Sequence, residues 1–332
     1  MPRDVVTSVC IPTYNRAGML RRAIRSAQAQ TERRIEILIS DNASTDRTED
    51  LVSGLAEADA RIRYVRNARN LGMVGNWNRC LAEASARLMC LLSDDDTLTP
   101  GAVAAGRDLL GRHPEAVMAF GASRQRHDLG GLLRIDRSFS DERVLSSVEA
   151  HRTIWLYNCF KITHAILRPA AARAIGGFYA DVGWCADTDF ELRMAARASI
   201  AVTPVEMGDY FVHPGQLSGT NNRQVYRWQC RMVDHVMRDV KDKPLLAALR
   251  PLAEGEYLSR YAIHFGAAAL KRGRSDEAAE FLASAQGLGL PRSKKHIAMY
   301  CLMRSALAVP GGVCAFKALL APVLSKVAAR YA

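Results

Sequence analysis

Three carboxylates, Asp94, Asp95 and Asp96, stand side by side in "CLLSDDDTLTP", directly behind an apolar run. Adjacent like charges repel and resist desolvation, so a folded chain keeps them in open water or around a cation. One use is to hold a divalent ion, which takes few protein oxygens and completes its shell from phosphate and water. Another is to start a helix: "DDDTLTPGAVAAG" runs into a helical pattern, where carboxylates suit the N-terminal dipole. Further acids stand in similar places. Asp41 follows the apolar "IEILIS", and Asp187 and Asp189 head the helical pattern of "CADTDFELR". Trp184, just before that pair, has a flat apolar face that can stack on a ligand ring or fill a core.

These acids are positioned by alternating elements. "TSVCIPT", "IEILIS", "IRYV" and "LMCLL" read as strands, and Pro12 is expected to end the first of them. Between them, "RAGMLRRAIRSAQAQ", "TDRTEDLVSGLAEA" and "MVGNWNRCLAEASA" carry helical spacing, the second with Ser44 or Thr45 as its cap. Strands separated by helices of this length imply βαβ units and a mostly parallel sheet, with ligands at the carboxyl ends of the strands. "PTYNR", "SDNASTD", "RNLG" and "SDDD" each follow a strand, so all four are expected along one crevice. From about 118 to 212 the pattern is mixed, with "AVMAFGAS", "KITHAILR" and "IAVTPVEM" as strands. From 221 onward it is helical almost throughout.

In this order, "VCIPTYNR", "ISDNASTD", "RNLGMVGNWN" and "LLSDDDTLTP" resemble the family 2 glycosyltransferases. That resemblance covers roughly residues 5–215. It implies an α/β fold of GT-A type: a Rossmann-like, mostly parallel sheet flanked by helices, followed here by an α-helical C-terminal region. The expected division is a glycosyltransferase domain over 1–220, with a nucleotide-sugar half at 1–120 and an acceptor half at 121–220, and a basic helical region over 221–332. The implied reaction is inverting and metal-dependent, using Mn2+ or Mg2+ and a nucleoside-diphosphate sugar. By resemblance "SDDD" occupies the place of the family's DxD-type motif, whose usual first acid falls on Ser93. The metal role then goes to Asp95, with Asp96 in support and Asp94 near the ribose. Pro12, Thr13, Tyr14 and Arg16 are expected at the nucleotide, where Tyr14 can stack and Arg16 can meet phosphate or fix the loop. Asp41 matches an acid that hydrogen-bonds the base, and Asn70 and Gly72 match a loop beside the nucleotide. Asp187 takes the position of the catalytic base, although the family often has Glu where this chain has Ala186. Asp189 is the alternative base or a first-turn helix acid. His213, in "YFVHPGQLS", matches a His near the metal or diphosphate.

The 332 residues, 49% of them hydrophobic, suffice for a large core, and the net charge of +11 is unevenly spread. Residues 221–332 hold 18 Lys and Arg against 8 Asp and Glu, which leaves 27 against 26 for the rest. The basic third is expected to meet something anionic. Its end, "FKALLAPVLSKVAARY", sets Phe316, Leu319, Leu320, Val323, Leu324 and Val327 at helical spacing beside Lys317 and Lys326. That suits an anionic membrane surface or a helix packed on the protein. The positive charge has few interleaved aromatics and no nucleic-acid motif, so a nucleic-acid partner is not expected. The eight scattered cysteines, without a CxxC pair, read as buried thiols of a reducing compartment. No run of apolar residues is long enough to span a bilayer. The expected protein is cytoplasmic, peripheral on the inner face of a membrane, and acts on a glycan or lipid-linked acceptor. A catalytically inactive module of the same shape stays open, because the first acid of the motif and the Glu before Asp187 are both replaced.

Overall fold

A strand hydrophobic on both faces belongs inside a sheet, and β1 (Thr7–Thr13) is buried along its whole length except for partial exposure at Pro12. It runs one residue past Pro12, because Pro12 keeps its place in register beside Ser40 of the next strand. This computed structural model describes residues 5–127, 131–136, 139–213, 222–308 and 313. After β1 come α1 (Ala17–Gln28), β2 (Ile35–Asp41), α2 (Thr48–Ala58), β3 (Ile62–Arg66), α3 (Gly72–Glu83), β4 (Leu88–Leu91), the short β5 (Thr97–Leu98) and α4 (Ala102–Arg112). Then follow β6 (Ala116–His127), β7 (Leu132–Asp136), β8 (Arg143–Leu145), α5 (Ser147–Tyr157), β9 (Ile166–Leu167), α6 (Pro169–Ala174), α7 (Ala186–Ala195) and the long β10 (Ser199–Val212).

The strands lie in the order β3-β2-β1-β4-β9-β6-β10-β5. The first four are parallel, β9 is antiparallel to both its neighbours, and β10 is parallel to β6 but antiparallel to β5. This is the expected α/β sheet flanked by helices, parallel in its first half and mixed in its second. Leu20, Ala23, Ile24 and Ala27 of α1 pack with Val9, Ile11, Ile37 and Ile39 of the sheet in one apolar cluster.

Local expectations fail where side chains bond to the backbone. α2 is not started by Ser44 or Thr45: Asp46 Oδ1 accepts from the Thr48 N–H (3.1 Å), while the Ser44 hydroxyl accepts from the Asn15 N–H (2.9 Å). "KITHAILR" is not one strand. It makes a 3-10 turn at Ile162–His164 before β9, and the turn lets Thr163 Oγ1 accept the Ser93 N–H at 2.9 Å. The acidic run does not start α4 either, since that helix begins at Ala102, beyond the intervening β5.

The chain divides into two compact units, Met1–Ala150 with Cys159–His213, and His151–Asn158 with Pro214–Ala332. The second is helical where described, with α8 (Asn222–Asp239), α9 (Pro244–Ala247), α10 (Arg250–Leu252), a π-helical turn at Ala253–Leu258, α11 (Ser259–Lys271), α12 (Ser275–Gly287) and α13 (Lys294–Ala308). Within it the Arg260 guanidinium donates to the Trp155 carbonyl at 2.7 Å, and the Trp155 ring meets Tyr257 edge-on. The amphipathic segment over 316–331 lies outside the described residues. No described helix is long and apolar enough to cross a membrane. The thiols are less uniformly buried than expected: Cys10, Cys80, Cys90 and Cys185 are buried, whereas Cys301 is exposed.

Candidate active site

β1 and β4 run parallel and adjacent, so the segments that leave their carboxyl ends emerge together. There the acidic run is fastened from several elements. Thr13 Oγ1 donates to Asp94 Oδ2 at 2.8 Å, and Arg16 Nη1 donates to Asp94 Oδ1 at 3.2 Å and Asp95 Oδ2 at 2.8 Å. Arg22 of α1 donates to the Asp95 carbonyl at 2.9 Å, and its guanidinium carbon lies 3.7 Å from the centroid of the Phe211 ring. From β10 the Phe211 N–H reaches Asp96 Oδ1 at 3.0 Å, and just past that strand His213 Nε2 sits 3.2 Å from Asp95 Oδ2. Burial, and next the neighbouring Asp95 charge, push the Asp94 carboxyl up to about 6 against the pull of Arg16. The same two causes hold Asp96 well above the usual carboxylate range.

Asp95 and His213 thus present an oxygen and a ring nitrogen to one place. That donor set fits Mn2+ or Mg2+, which use one or two protein donors and take the rest from phosphate and water. No group of three or more His, Cys, Asp or Glu suited to a metal occurs among the described residues, so diphosphate and water would complete the shell. Asp96, expected in support, is buried and bonded to the β10 backbone. It positions the strand that carries His213.

Tyr14, between Thr13 and the Arg16 loop in the chain, is 44% exposed. Asp41 is fully buried, and both its oxygens are engaged: Oδ1 accepts the Ser44 N–H (2.9 Å), and Oδ2 accepts the Tyr64 hydroxyl (2.6 Å) and Arg66 Nη1 (2.9 Å). A base could use only the second lone pair of Oδ1, which is buried with the rest of the side chain. Asn70 and Gly72 belong to an amide network that the motifs did not reveal. Asn42 Nδ2 donates to Asn70 Oδ1 (2.8 Å) and to the Gly72 carbonyl (3.2 Å), while Asn42 Oδ1 accepts from Asn67 Nδ2 (3.1 Å) and the Leu71 N–H (2.9 Å). Gly72 stands at φ 75°, which a side chain disfavours. Asn15 and Ala43 also take left-handed backbone, where the loops after β1 and β2 are stitched by Thr45 N–H to Asn15 Oδ1 at 2.7 Å.

At the start of α7 the two candidate bases part company. Asp187 is partly buried, accepts the Thr188 N–H at 2.7 Å, and has its carboxyl raised mainly by burial. Asp189 is completely buried against Arg193 at 2.7 Å, and that guanidinium also donates to the carbonyls of Ile175 (2.9 Å) and Gly177 (2.6 Å). The Asp189 carboxylate thus orients Arg193, and Arg193 ties α7 to the preceding loop. Trp184, partly exposed, closes the 3-10 stretch Ala180–Cys185 that leads into α7. Sequence reasoning missed Arg22, Thr163, Lys161 and Glu191. None of them belongs to a motif, and only their partners across the fold mark them.

The family described as Glycosyl transferase family 2 matches residues 8–166, which contain all four crevice segments. The uncharacterized protein MT1568 of Mycobacterium tuberculosis is 30% identical over 223 residues, covering 62% of this chain and 67% of that one. The chain belongs to glycosyl transferase family 2. This family 2 chain is also 41% identical over 97 residues to the GalNAc(5)-diNAcBac-PP-undecaprenol beta-1,3-glucosyltransferase of Campylobacter jejuni, covering 29% of this chain and 31% of that protein. The match thus spans under a third of that enzyme's length. The fold of this chain is similar to that of Staphylococcus aureus TarS 1–349, solved with UDP-GlcNAc, at a TM-score of 0.63, 13% identity, and coverage of 94% of this chain and 88% of that one. The candidate base Asp187 and His213 lie beyond the part of this family 2 chain that the family pattern matches.

Proposed function

We propose that this chain is an inverting, metal-dependent glycosyltransferase that moves a sugar from a nucleoside-diphosphate sugar to an acceptor hydroxyl. The observation that carries the reading is the meeting of Asp95 and His213 at the carboxyl ends of β1 and β4, where a parallel sheet presents its ligand site. In this reading Tyr14 packs against the base, and Asp94 lies toward the ribose. Arg16, already bonded to Asp94 and Asp95, gains the diphosphate as a further anion. Asp95 and His213 would hold Mn2+ or Mg2+, which when bound offsets the negative charge that builds on the departing diphosphate. Asp187 takes the proton of the acceptor hydroxyl as its oxygen attacks the anomeric carbon. One C–O bond forms, the bond to the diphosphate breaks, and the electron pair leaves with the nucleoside diphosphate. A carboxyl raised by burial is a stronger base than one in water, which suits Asp187 to the step.

The acceptor we propose is a lipid-linked glycan of bacterial surface-polysaccharide assembly, a class supported by the acceptor in the Campylobacter relative's name. The basic C-terminal third, 18 cationic against 8 acidic residues, suits a position on an anionic membrane face. The reading is tested by thermal-shift screening of nucleoside diphosphates with and without Mn2+, because a ligand that binds only the native state raises the midpoint. A midpoint that no nucleoside diphosphate moves would refute it. An inactive binding module, the reading that Ser93 and Ala186 favour, would show the shift but no turnover with any donor.

A further inference from the structure

α7 carries a second acid on the side of Asp187. Glu191 follows it by four residues, the spacing that brings side chains together on one face of a helix, and is only 2% exposed. The charged groups that face Glu191 are Asp187 on its own helix and Lys161 from the segment before the 3-10 turn. Lys161 is held beside β10, its Nζ 5.1 Å from the centroid of the Tyr210 ring. The same ammonium acts on Asp187 as well, so a single cation serves two carboxyls of one buried helix face.

One positive charge cannot offset two negative ones, and burying the surplus charge is costly, so a proton must remain on one of the pair. Asp187 is the less buried of the two and keeps an N–H donor from Thr188. Glu191 has neither advantage: burial first, and the Asp187 charge second, hold its carboxyl well above the usual range.

We infer that Glu191 is a positioning residue for Asp187: a neutral carboxyl one helical turn away that, together with Lys161, confines the negative charge of the acceptor end to Asp187. The inference rests on the proposal that Asp187 is the base. A neutral Glu191 can donate to Asp187 but cannot compete for the acceptor's proton, so the proton received during transfer stays on Asp187.

The test pairs infrared spectroscopy with kinetics on the full chain. At neutral pH the wild type should show C=O stretches of buried protonated carboxyls, and Glu191→Gln should remove one of them. Glu191→Met, which has no hydrogen-bonding group, should lower kcat by roughly 10-fold with the donor KM unchanged. Gln, neutral and of the same shape, should recover most of that loss. The inference is overturned if Glu191→Gln removes no such band, or if Gln lowers kcat as far as Met. Activity retained in Asp187→Asn would instead refute the base assignment, and the infrared band reports on Glu191 whichever way that result falls.

Discussion

His213 Nε2 and Asp95 Oδ2 meet at 3.2 Å although 118 residues separate them in the chain. Nothing local pairs them. They are joined because β10 returns to the acidic run, tied there by the Phe211 N–H on Asp96.

If the two share a cation, Asp95→Asn should abolish the Mn2+ dependence of nucleoside-diphosphate binding and lower kcat by on the order of 100-fold or more. His213→Ala should weaken the same dependence less. Isothermal titration with and without Mn2+ measures both, and Mn2+-dependent binding that survives in Asp95→Asn rules out the assignment.

Asp187→Asn and Asp189→Asn should fail in different ways. The first cannot accept a proton, so kcat falls roughly 100-fold or more while donor binding and the thermal midpoint hold. The second leaves the Arg193 guanidinium buried without its carboxylate, at a cost of about 3–5 kcal/mol of stability. Denaturant unfolding beside single-turnover kinetics separates them. A stable, inactive Asp189→Asn would transfer the base role to Asp189.

Asp94 gives stability a pH dependence whose sign follows from its raised carboxyl. The folded chain keeps a proton that the unfolded chain releases near pH ~4, so stability should fall as pH rises from there through about 6. Asp94→Asn should flatten the thermal midpoint across that window. An unchanged pH profile would show that Asp94 ionises in the folded state as freely as in water.

Ala43 adopts φ 63° between Asp41 and the Ser44 that Asn15 engages. An alanine pays a left-handed backbone cost that glycine avoids, so Ala43→Gly should raise stability by roughly 0.5–1 kcal/mol after glycine's own entropy is counted. Chemical denaturation decides the sign, and a loss would mean that the Ala43 methyl packs more favourably than its backbone is strained.

The sheet and its crevice were legible because β1, β2 and β4 are hydrophobic on both faces, which leaves few places for them other than a buried parallel sheet. The polar segments after them then had to share an edge. Finer placement was not legible, for a physical reason: it depends on which distant group a side chain bonds. Asp189 reads as a helix-end acid until Arg193 is seen to tie it to the carbonyls of Ile175 and Gly177. Asp41 reads as an open ligand until Tyr64 and Arg66 close on it. Thr163 reads as part of a strand, yet the turn it occupies holds the Ser93 N–H. Lys161 is a single charge between Phe160 and Ile162, and the four-residue spacing of Asp187 and Glu191 shows a shared helix face but not the cation that another segment brings to it.

β5 takes its strand partner from β10 alone among the described residues, with Thr97 facing Asp209, 112 residues later. On a ribosome moving at about 5–20 residues per second, the acidic run therefore waits on the order of 5–20 s for the strand that completes it. During that interval the nascent chain can build β1 to β4 and their helices, but the Asp96 carboxyl has no Phe211 N–H and Asp95 has no imidazole beside it. A translation product halted before β10 would carry every recognisable motif of the crevice and still lack the means to close it.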